Sequence, residues 1–279
     1  MTVDAHHHVW DLAVRDQDWI TGPELRPIRR TFTVQDLEPQ ARRCGVDRTV
    51  LVQTVTVAEE TPELLALADG HELIAAVVGW TDLTRPDVAD ELARLRELPG
   101  GRYLKGIRHQ VQGEPDPEWL LRPDVRRGLA AVADAGLVYD LVVLPHQLPA
   151  CARAVAALPG LTFVLDHLGK PPIVSGEPGP WTADLGALAA LPNTVAKLSG
   201  LVTEADPASW TTGDLRPYTE AALAAFGPDR LMFGSDWPVC TLAAPYGRVL
   251  AAARELTAHL GAAERTAVFE GTAARVYGI

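Results

Sequence analysis

Short apolar, β-branched segments alternate along the chain with stretches of Ala, Leu and Arg that repeat with helical period. Segments that are apolar along most of their length predict strands buried on both faces, as in a parallel sheet covered by helices. Eight such strands are predicted, at Val3–Val9, Arg48–Val55, Leu73–Trp80, Leu104–Val111, Val138–Val143, Thr162–His167, Thr194–Ser199 and Arg230–Gly234.

The segments between these strands predict helices, and their start and stop signals agree: Asp124 precedes one apolar run and Ala135-Gly136 closes it. The predicted helices span Val34–Cys44, Thr61–Asp69, Asp87–Leu98, Asp124–Ala135, His146–Leu158, Thr182–Leu191, Leu215–Phe226, Tyr246–Leu260 and Ala263–Tyr277. Eight strand–helix units in one chain of this length favour an α/β fold, a single (β/α)8 TIM-type barrel over residues 1–279. No glycine-rich phosphate-binding pattern follows a strand, which disfavours an open nucleotide-binding sheet.

The composition of the chain argues against two classes of partner, nucleic acids and membranes. The 279 residues carry 36 acidic and 25 basic side chains, a net charge of −11, so a nucleic acid is not an expected partner. No apolar run is long enough to span a membrane, and the polar start of the sequence has no signal-peptide core. Three scattered cysteines do not form a disulfide framework. We therefore expect a cytoplasmic protein with no membrane partner.

The active site of a (β/α)8 barrel lies at the C-terminal ends of its strands, and the first strand ends in three histidines. Side chains alternate faces along a strand, so His6 and His8 share one face and His7 points the other way, in a structural role. Two imidazoles in this arrangement can bind one cation or one substrate group. The alternative is a run of surface histidines or a tag remnant, which their position inside a credible strand disfavours.

Two further strands end in residues that can act as a base or bind a metal ion. His167 follows strand 6 and Asp236 follows strand 8, where a catalytic carboxylate is expected; the alternative for Asp236 is the cap of the next helix. Asp166 is predicted to face opposite to His167 and to hold neighbouring backbone. On strand 4, alternation places Lys105 and Arg108 on opposite faces, and the sequence leaves open which of them faces the cavity.

The remaining candidates are predicted to bind substrate. The chain has only three lysines, and each falls in or just after a predicted strand, which supports an anion-stabilising role. Three tryptophans follow or end strands and are expected to pack against a substrate, although one or two of them fit equally well as core. The predicted substrate-binding residues are Trp10, Trp80, Asp140, Lys170, Lys197 and Trp237.

Several of these motifs carry a family resemblance that covers nearly the whole chain. The His6-x-His8 pair, the Asp166–Pro171, Lys197–Leu201 and Phe233–Pro238 segments and the ending Gly271–Tyr277 resemble the amidohydrolase-related family, in its sugar-lactonase group. This resemblance implies a (β/α)8 hydrolase whose histidines and strand-8 aspartate surround the reacting carbonyl.

The resemblance assigns His6, His8, His167 and Asp236 either to one divalent metal ion, in first place Zn²⁺, or to direct action without a metal. A second metal is not expected, because Asp140 stands on strand 5 where two-metal members carry a histidine, and Lys105 is an uncertain counterpart of their strand-4 lysine. The implied reaction is hydrolysis of a sugar-acid lactone, a small-molecule substrate.

In that reaction Asp236 acts as the base and His167 helps to polarise the carbonyl. Lys105 or Arg108 stabilises the oxyanion. Two alternatives remain open at this point: metal-dependent decarboxylation of an aromatic or unsaturated acid, and a catalytically silent binding barrel. The sequence does not determine the sugar configuration or the oligomeric state.

Overall fold

The computed structural model describes residues 1–279, and its centre is one sheet of eight parallel strands in sequence order. The strands are β1 (Val3–His7), β2 (Arg48–Val52), β3 (Ile74–Gly79), β4 (Leu104–His109), β5 (Val138–Leu141), β6 (Phe163–Leu165), β7 (Thr194–Leu198) and β8 (Leu231–Phe233). Each strand lies within a predicted segment, and most strands end one to three residues before the predicted C-terminal end. The predicted (β/α)8 barrel is confirmed.

Helices cover the outside of the sheet. They are α1 (Val34–Arg43), α2 (Glu60–Gly70), α3 (Val88–Glu97), α4 (Pro123–Asp134), α5 (Leu148–Ala157), α6 (Gly179–Ala189), α7 (Leu201–Glu204), α8 (Thr212–Phe226), α9 (Tyr246–Leu256), α10 (Ala262–Thr266) and α11 (Thr272–Tyr277). A π-helical turn at Ala267–Gly271 divides the last predicted helix into α10 and α11. The one-turn α7 was not predicted. No helix combines the length and apolar character needed to cross a membrane.

Backbone hydrogen bonds join the first and last strands just beyond their ends. The Asp236 amide donates to the His6 carbonyl at 2.8 Å, and the His8 amide donates to the Trp237 carbonyl at 2.7 Å. These bonds fix the segment after β8 beside the end of β1. The predicted catalytic carboxylate therefore lies next to the histidine pair, although the two are more than 200 positions apart in the sequence.

Two hydrophobic cores lie on the two faces of the sheet. The larger core of 68 buried residues fills the space between the strands and the helices. A smaller core of 12 buried residues fills the barrel interior towards the N-terminal ends of the strands, with Val3, Val50 and Val164 among them. Ala273 and Tyr277 of α11 complete this inner core. The opposite, C-terminal end of the barrel is left for polar side chains.

Candidate active site

Four polar side chains converge at the C-terminal end of the barrel. Nε2 of His6 lies 3.1 Å from Nε2 of His8. Oδ1 of Asp236 lies 3.8 Å from Nε2 of His6, 3.6 Å from Nε2 of His8 and 3.9 Å from Nε2 of His167. All four residues are at most 5% exposed. The structure thus brings together the residues that the sequence motifs singled out.

Strand alternation explains the histidine triplet. His6 points into the barrel, whereas His7 points outwards, where its Nε2 lies 2.9 Å from the Thr49 hydroxyl. His8 follows the last residue of β1 and returns to the inner side. Gly234 makes room for the first ring, since a Cβ at this position would lie 2.7 Å from the His6 Cβ.

A left-handed turn at the end of β6 places His167 in the site. Regular strand geometry ends at Leu165, and the next residues include His167, Leu168 and Lys170, with φ of 53°, 51° and 54°. Because the turn interrupts the alternation of side chains, both Asp166 and His167 point into the barrel. The prediction that Asp166 faces away and holds neighbouring backbone was therefore wrong.

The segment after β7 supports the His167 ring. Nδ1 of His167 lies 2.9 Å from the Ser199 hydroxyl, and the His167 backbone amide donates to the same oxygen at 3.3 Å. Gly200 has a φ of 68°, and a Cβ there would lie 2.6 Å from His167 Nδ1. Glycine is therefore required both by the backbone conformation and by the close approach of the ring.

Hydrogen bonds and burial define the protonation of the site. Nδ1 of His8 donates to the Val52 carbonyl at 2.7 Å, because a carbonyl oxygen only accepts. Nε2, on the other side of the His8 ring, faces the cluster. Burial lowers the pKa of His6 well below its usual value and that of His167 to about 4. Both rings are neutral at pH 7.

Asp236 carries the negative charge of the cluster. Burial raises its pKa, but the neighbouring histidines and Lys170 outweigh burial, and the pKa is lowered overall. The carboxylate is ionised at neutral pH. An ionised carboxylate surrounded by neutral imidazoles can accept a proton from a water molecule or hold a cation.

A fully buried charge network lies under the histidines. Lys197 pairs with Asp140 at 2.5 Å and with Asp166 at 3.0 Å, and its ammonium group lies 3.1 Å from Nδ1 of His6. Arg108 pairs with Asp166 at 2.9 Å and donates to the Gln53 carbonyl. Lys197 and Asp140 therefore support the site from below and do not line the cavity, and the prediction that they bind substrate stays a prediction.

Strand 4 supplies Arg108, not Lys105, to the site. Nη1 of Arg108 lies 3.4 Å from Nε2 of His6, and its side chain lines the cavity above the histidines. Ile107 belongs to the outer core, and alternation puts Lys105 on the same outer face. The structure therefore places Arg108, and not Lys105, at the cavity, and the catalytic role of either residue stays a prediction.

A cavity of about 290 Å³ opens above His8, His167 and Asp236. Lys170 lines it and lies 3.7 Å from Glu204 of α7. The sequence analysis did not select several lining residues, because they lie beyond the observed ends of the strands, on loops and on α7. These residues are Trp19, Thr54, Gln110, Gln112, Thr203 and Glu204.

The predicted tryptophans do not line this cavity. Trp10 and Trp237 are 5% and 1% exposed, and both pack against Phe32. The Trp80 indole donates to Nδ1 of His109 at 3.0 Å and borders a separate hollow. The structure places none of the three at this cavity, and their assignment as substrate-binding residues stays a prediction. Trp19 lines the cavity instead.

The donor set fits a single divalent cation. One ligand atom each from His6, His167 and Asp236 lies within 4.8 Å of the others, and Nε2 of His8 lies beside them. Ligand atoms 2.0–2.1 Å from a tetrahedral zinc ion lie roughly 3.3–3.4 Å apart. The His6–His8 separation of 3.1 Å and the Asp236–histidine separations of 3.6–3.9 Å bracket that value. Two bare imidazole nitrogens at 3.1 Å also require a proton or a cation between them.

The chain is similar in sequence and in fold to known proteins. The model of the amidohydrolase family matches residues 3–279. The chain is 41% identical to L-fucono-1,5-lactonase of Burkholderia multivorans, and the match covers 100% of this chain and 96% of the relative. It is 40% identical to L-fucono-1,5-lactonase of Burkholderia ambifaria, and that match covers 99% of this chain and 95% of the relative. A crystal structure of a zinc-bound amidohydrolase from Burkholderia multivorans superimposes with a TM-score of 0.94 at 40% identity, covering 100% of this chain and 99% of that one. This chain belongs to the amidohydrolase family.

Proposed function

We propose that the protein hydrolyses the lactone ring of a sugar acid, with L-fucono-1,5-lactone as the leading substrate. One observation carries this proposal: the Asp236 carboxylate and the imidazoles of His8 and His167 form the floor of a polar cavity in a chain that matches L-fucono-1,5-lactonases over its whole length. A lactone is a cyclic ester, and its hydrolysis needs a base, a polarised carbonyl and a stabilised oxyanion.

Asp236 is the proton carrier in this proposal. Its carboxylate takes a proton from the attacking water as the new C–O bond forms, and returns that proton to the ring oxygen as the ester bond breaks. The lowered pKa keeps this carboxylate ionised before the reaction. Burial at 4% exposure keeps bulk water from competing for the proton.

Arg108 provides positive charge near the reacting carbonyl. Its guanidinium is 3% exposed and fixed by Asp166 and by the Gln53 carbonyl, so it needs little reorganisation to stabilise a developing oxyanion. Lys170, in the left-handed turn after His167, lies further up the same cavity and contributes a second positive charge.

The proposed metal ligands are His6, His8, His167 and Asp236, and the proposed ion is Zn²⁺. When bound there, such an ion polarises the ester carbonyl and makes bound water a stronger nucleophile at neutral pH. Ser199 and the Val52 carbonyl hold Nδ1 of His167 and of His8. These contacts keep each Nε2 directed towards the cluster.

The upper wall of the cavity is suited to the hydroxyl groups of a sugar. Oε1 of Gln112 is buried without a partner, and the Glu204 carboxylate has Lys170 as its charged neighbour. The Gln112 amide oxygen and the Glu204 carboxylate both accept hydrogen bonds, and the hydroxyl groups of a sugar ring can donate them. Trp19 adds an apolar surface at the mouth, where one face of a sugar ring can pack.

A substrate panel tests the proposal. Acid release is measured on 1,5- and 1,4-lactones of L-fuconate, its epimers and unrelated aldonates, and carbon dioxide release on aromatic acids. We expect hydrolysis of sugar lactones, fastest for the fucono configuration, and no decarboxylation. Absence of enzymatic acid release from every lactone would contradict the proposal.

A further inference from the structure

The buried network under His6 reaches further down the barrel than the ion pairs of Lys197. The hydroxyl of Tyr277, on α11, donates to Oδ2 of Asp140 at 2.9 Å. The same Asp140 oxygen accepts from Lys197 at 2.5 Å, and Lys197 in turn lies 3.1 Å from Nδ1 of His6. Four polar side chains thus form a continuous path from α11, which packs into the inner core, to a histidine of the site.

Each member of this path is withdrawn from water. The side chains of Lys197, Asp140 and Asp166 are 0% exposed, and Tyr277 is 1% exposed. The network balances two cations, Lys197 and Arg108, against two carboxylates. Burial raises the pKa of Tyr277 well above its usual value, so its hydroxyl remains a proton donor at all working pH values.

The Asp140 carboxylate has two side-chain donors, Lys197 and Tyr277. Its Oδ1 lies 3.2 Å from the tyrosine hydroxyl and faces no other donor side chain. Without that hydroxyl, a buried carboxylate depends on Lys197 alone, and the ammonium is drawn away from its other neighbours. Those neighbours are Asp166 and His6.

We propose that Tyr277 is a positioning residue of the active site: its hydroxyl fixes Asp140 and Lys197, and Lys197 with Asp166 fixes the orientation and hydrogen bonding of the His6 ring. Helix α11 therefore has a functional role besides closing the inner core. The inference rests on the proposed function in one respect, namely that His6 belongs to the catalytic cluster.

Two tyrosine-to-phenylalanine variants form a matched test. Tyr277→Phe removes one oxygen from the network and keeps the ring that fills the barrel. Tyr139→Phe removes a hydroxyl that is also buried but has no partner, on the outer face of β5. The readouts are kcat and KM on the lactone, the dissociation constant of zinc in a chelator competition, and the imidazole nitrogen NMR shifts of His6.

We expect Tyr277→Phe to lower kcat about tenfold with KM unchanged, to weaken zinc binding about tenfold and to shift the His6 nitrogen resonances. Tyr139→Phe should match the wild type in all three. The zinc and NMR readouts need no substrate, so they test this inference even if no lactone is hydrolysed. Asp140→Asn, which keeps the side-chain shape, replaces Tyr277→Phe if that variant does not fold. Wild-type His6 resonances in the folded variant would overturn the proposal.

Discussion

The Nε2 atoms of His6 and His8 face each other at 3.1 Å, but the two rings are held differently on their far sides. Nδ1 of His8 is committed to a carbonyl oxygen, whereas Nδ1 of His6 lies 3.1 Å from a donor, Lys197, and 3.3 Å from an acceptor, Asp166. His6 can therefore present Nε2 either as a donor to His8 or as a bare ligand. The second form is the one that binds a cation.

Metal binding is the first prediction. Purified protein should contain about one equivalent of zinc, and His8→Ala should weaken zinc binding at least tenfold, because it removes a nitrogen directed at the cluster. Metal analysis and chelator competition measure both quantities. His259→Ala, at an exposed position, is the control. Protein that holds no metal and loses nothing to chelators would instead support direct action of the histidines.

The second prediction compares the catalytic contributions of Arg108 and Lys105, the two basic residues of β4. Arg108→Lys should lower kcat/KM by 10²-fold or more, because an ammonium cannot contact both Asp166 and the Gln53 carbonyl while facing the cavity. Lys105→Met, on the outer face, should leave kcat and KM unchanged. Steady-state kinetics on the lactone measure both. Equal losses in the two variants would show that the strand faces are misassigned.

A glycine pair tests the support of His167. Gly200 and Gly136 have φ of 68° and 64°, but a Cβ at Gly200 meets His167 Nδ1 at 2.6 Å, whereas Gly136 has nothing within 4 Å. Each Gly→Ala change should cost about 1–2 kcal/mol of unfolding free energy through the left-handed backbone. Only Gly200→Ala should also lose most lactonase activity. Full activity in a folded Gly200→Ala variant would show that the position of the His167 ring does not depend on the glycine.

The fourth prediction concerns pH and His109 at the end of β4. Its Nδ1 accepts from the Trp80 indole at 3.0 Å, its Nε2 donates to Glu114 at 2.7 Å, and its ring stacks on Trp119. Burial lowers the pKa of His109, although Glu114 raises it in part. In the unfolded chain this histidine has its ordinary pKa of about 6.5, which is higher than its pKa in the folded protein. The contribution of the neutral ring to the free energy of unfolding is therefore complete above about pH 6.5, and it is lost as the pH falls through the folded-state pKa.

Denaturant unfolding at pH 7.5 and pH 5 measures that effect. His109→Gln should reduce the difference in unfolding free energy between the two pH values, since the other buried histidines contribute equally in both proteins. An unchanged difference would show that His109 does not titrate in this range. The glutamine amide keeps polar atoms near Trp80 and Glu114, which limits unrelated losses.

Periodicity predicted the barrel because a buried parallel strand is apolar along its length, and such runs recur eight times. It correctly placed His6 and His8 on the same face, since their side chains keep the alternation of β1. It misplaced Asp166 because a left-handed turn begins beside it, and single-residue alternation does not apply across such a turn. The Gly169-Lys170 ending was the available signal for that turn.

The buried charges were harder to predict. Lys197 and Asp140 lie within strands and point inwards, as the sequence indicated, but their mutual pairing at 2.5 Å withdraws them from the cavity. Pairing between strands that are distant in sequence depends on the register and depth of each side chain in the barrel. A single sequence does not contain that information.

The most direct test of the account is the kinetics of L-fucono-1,5-lactone hydrolysis by the wild type and by Asp236→Asn, followed as acid release. The asparagine keeps the shape of the side chain and removes the proton acceptor. We expect enzymatic turnover by the wild type, and a kcat lower by about 10²-fold or more in the variant with little change in KM. Near-normal turnover by a folded Asp236→Asn protein, or no wild-type acceleration over spontaneous hydrolysis, would contradict it.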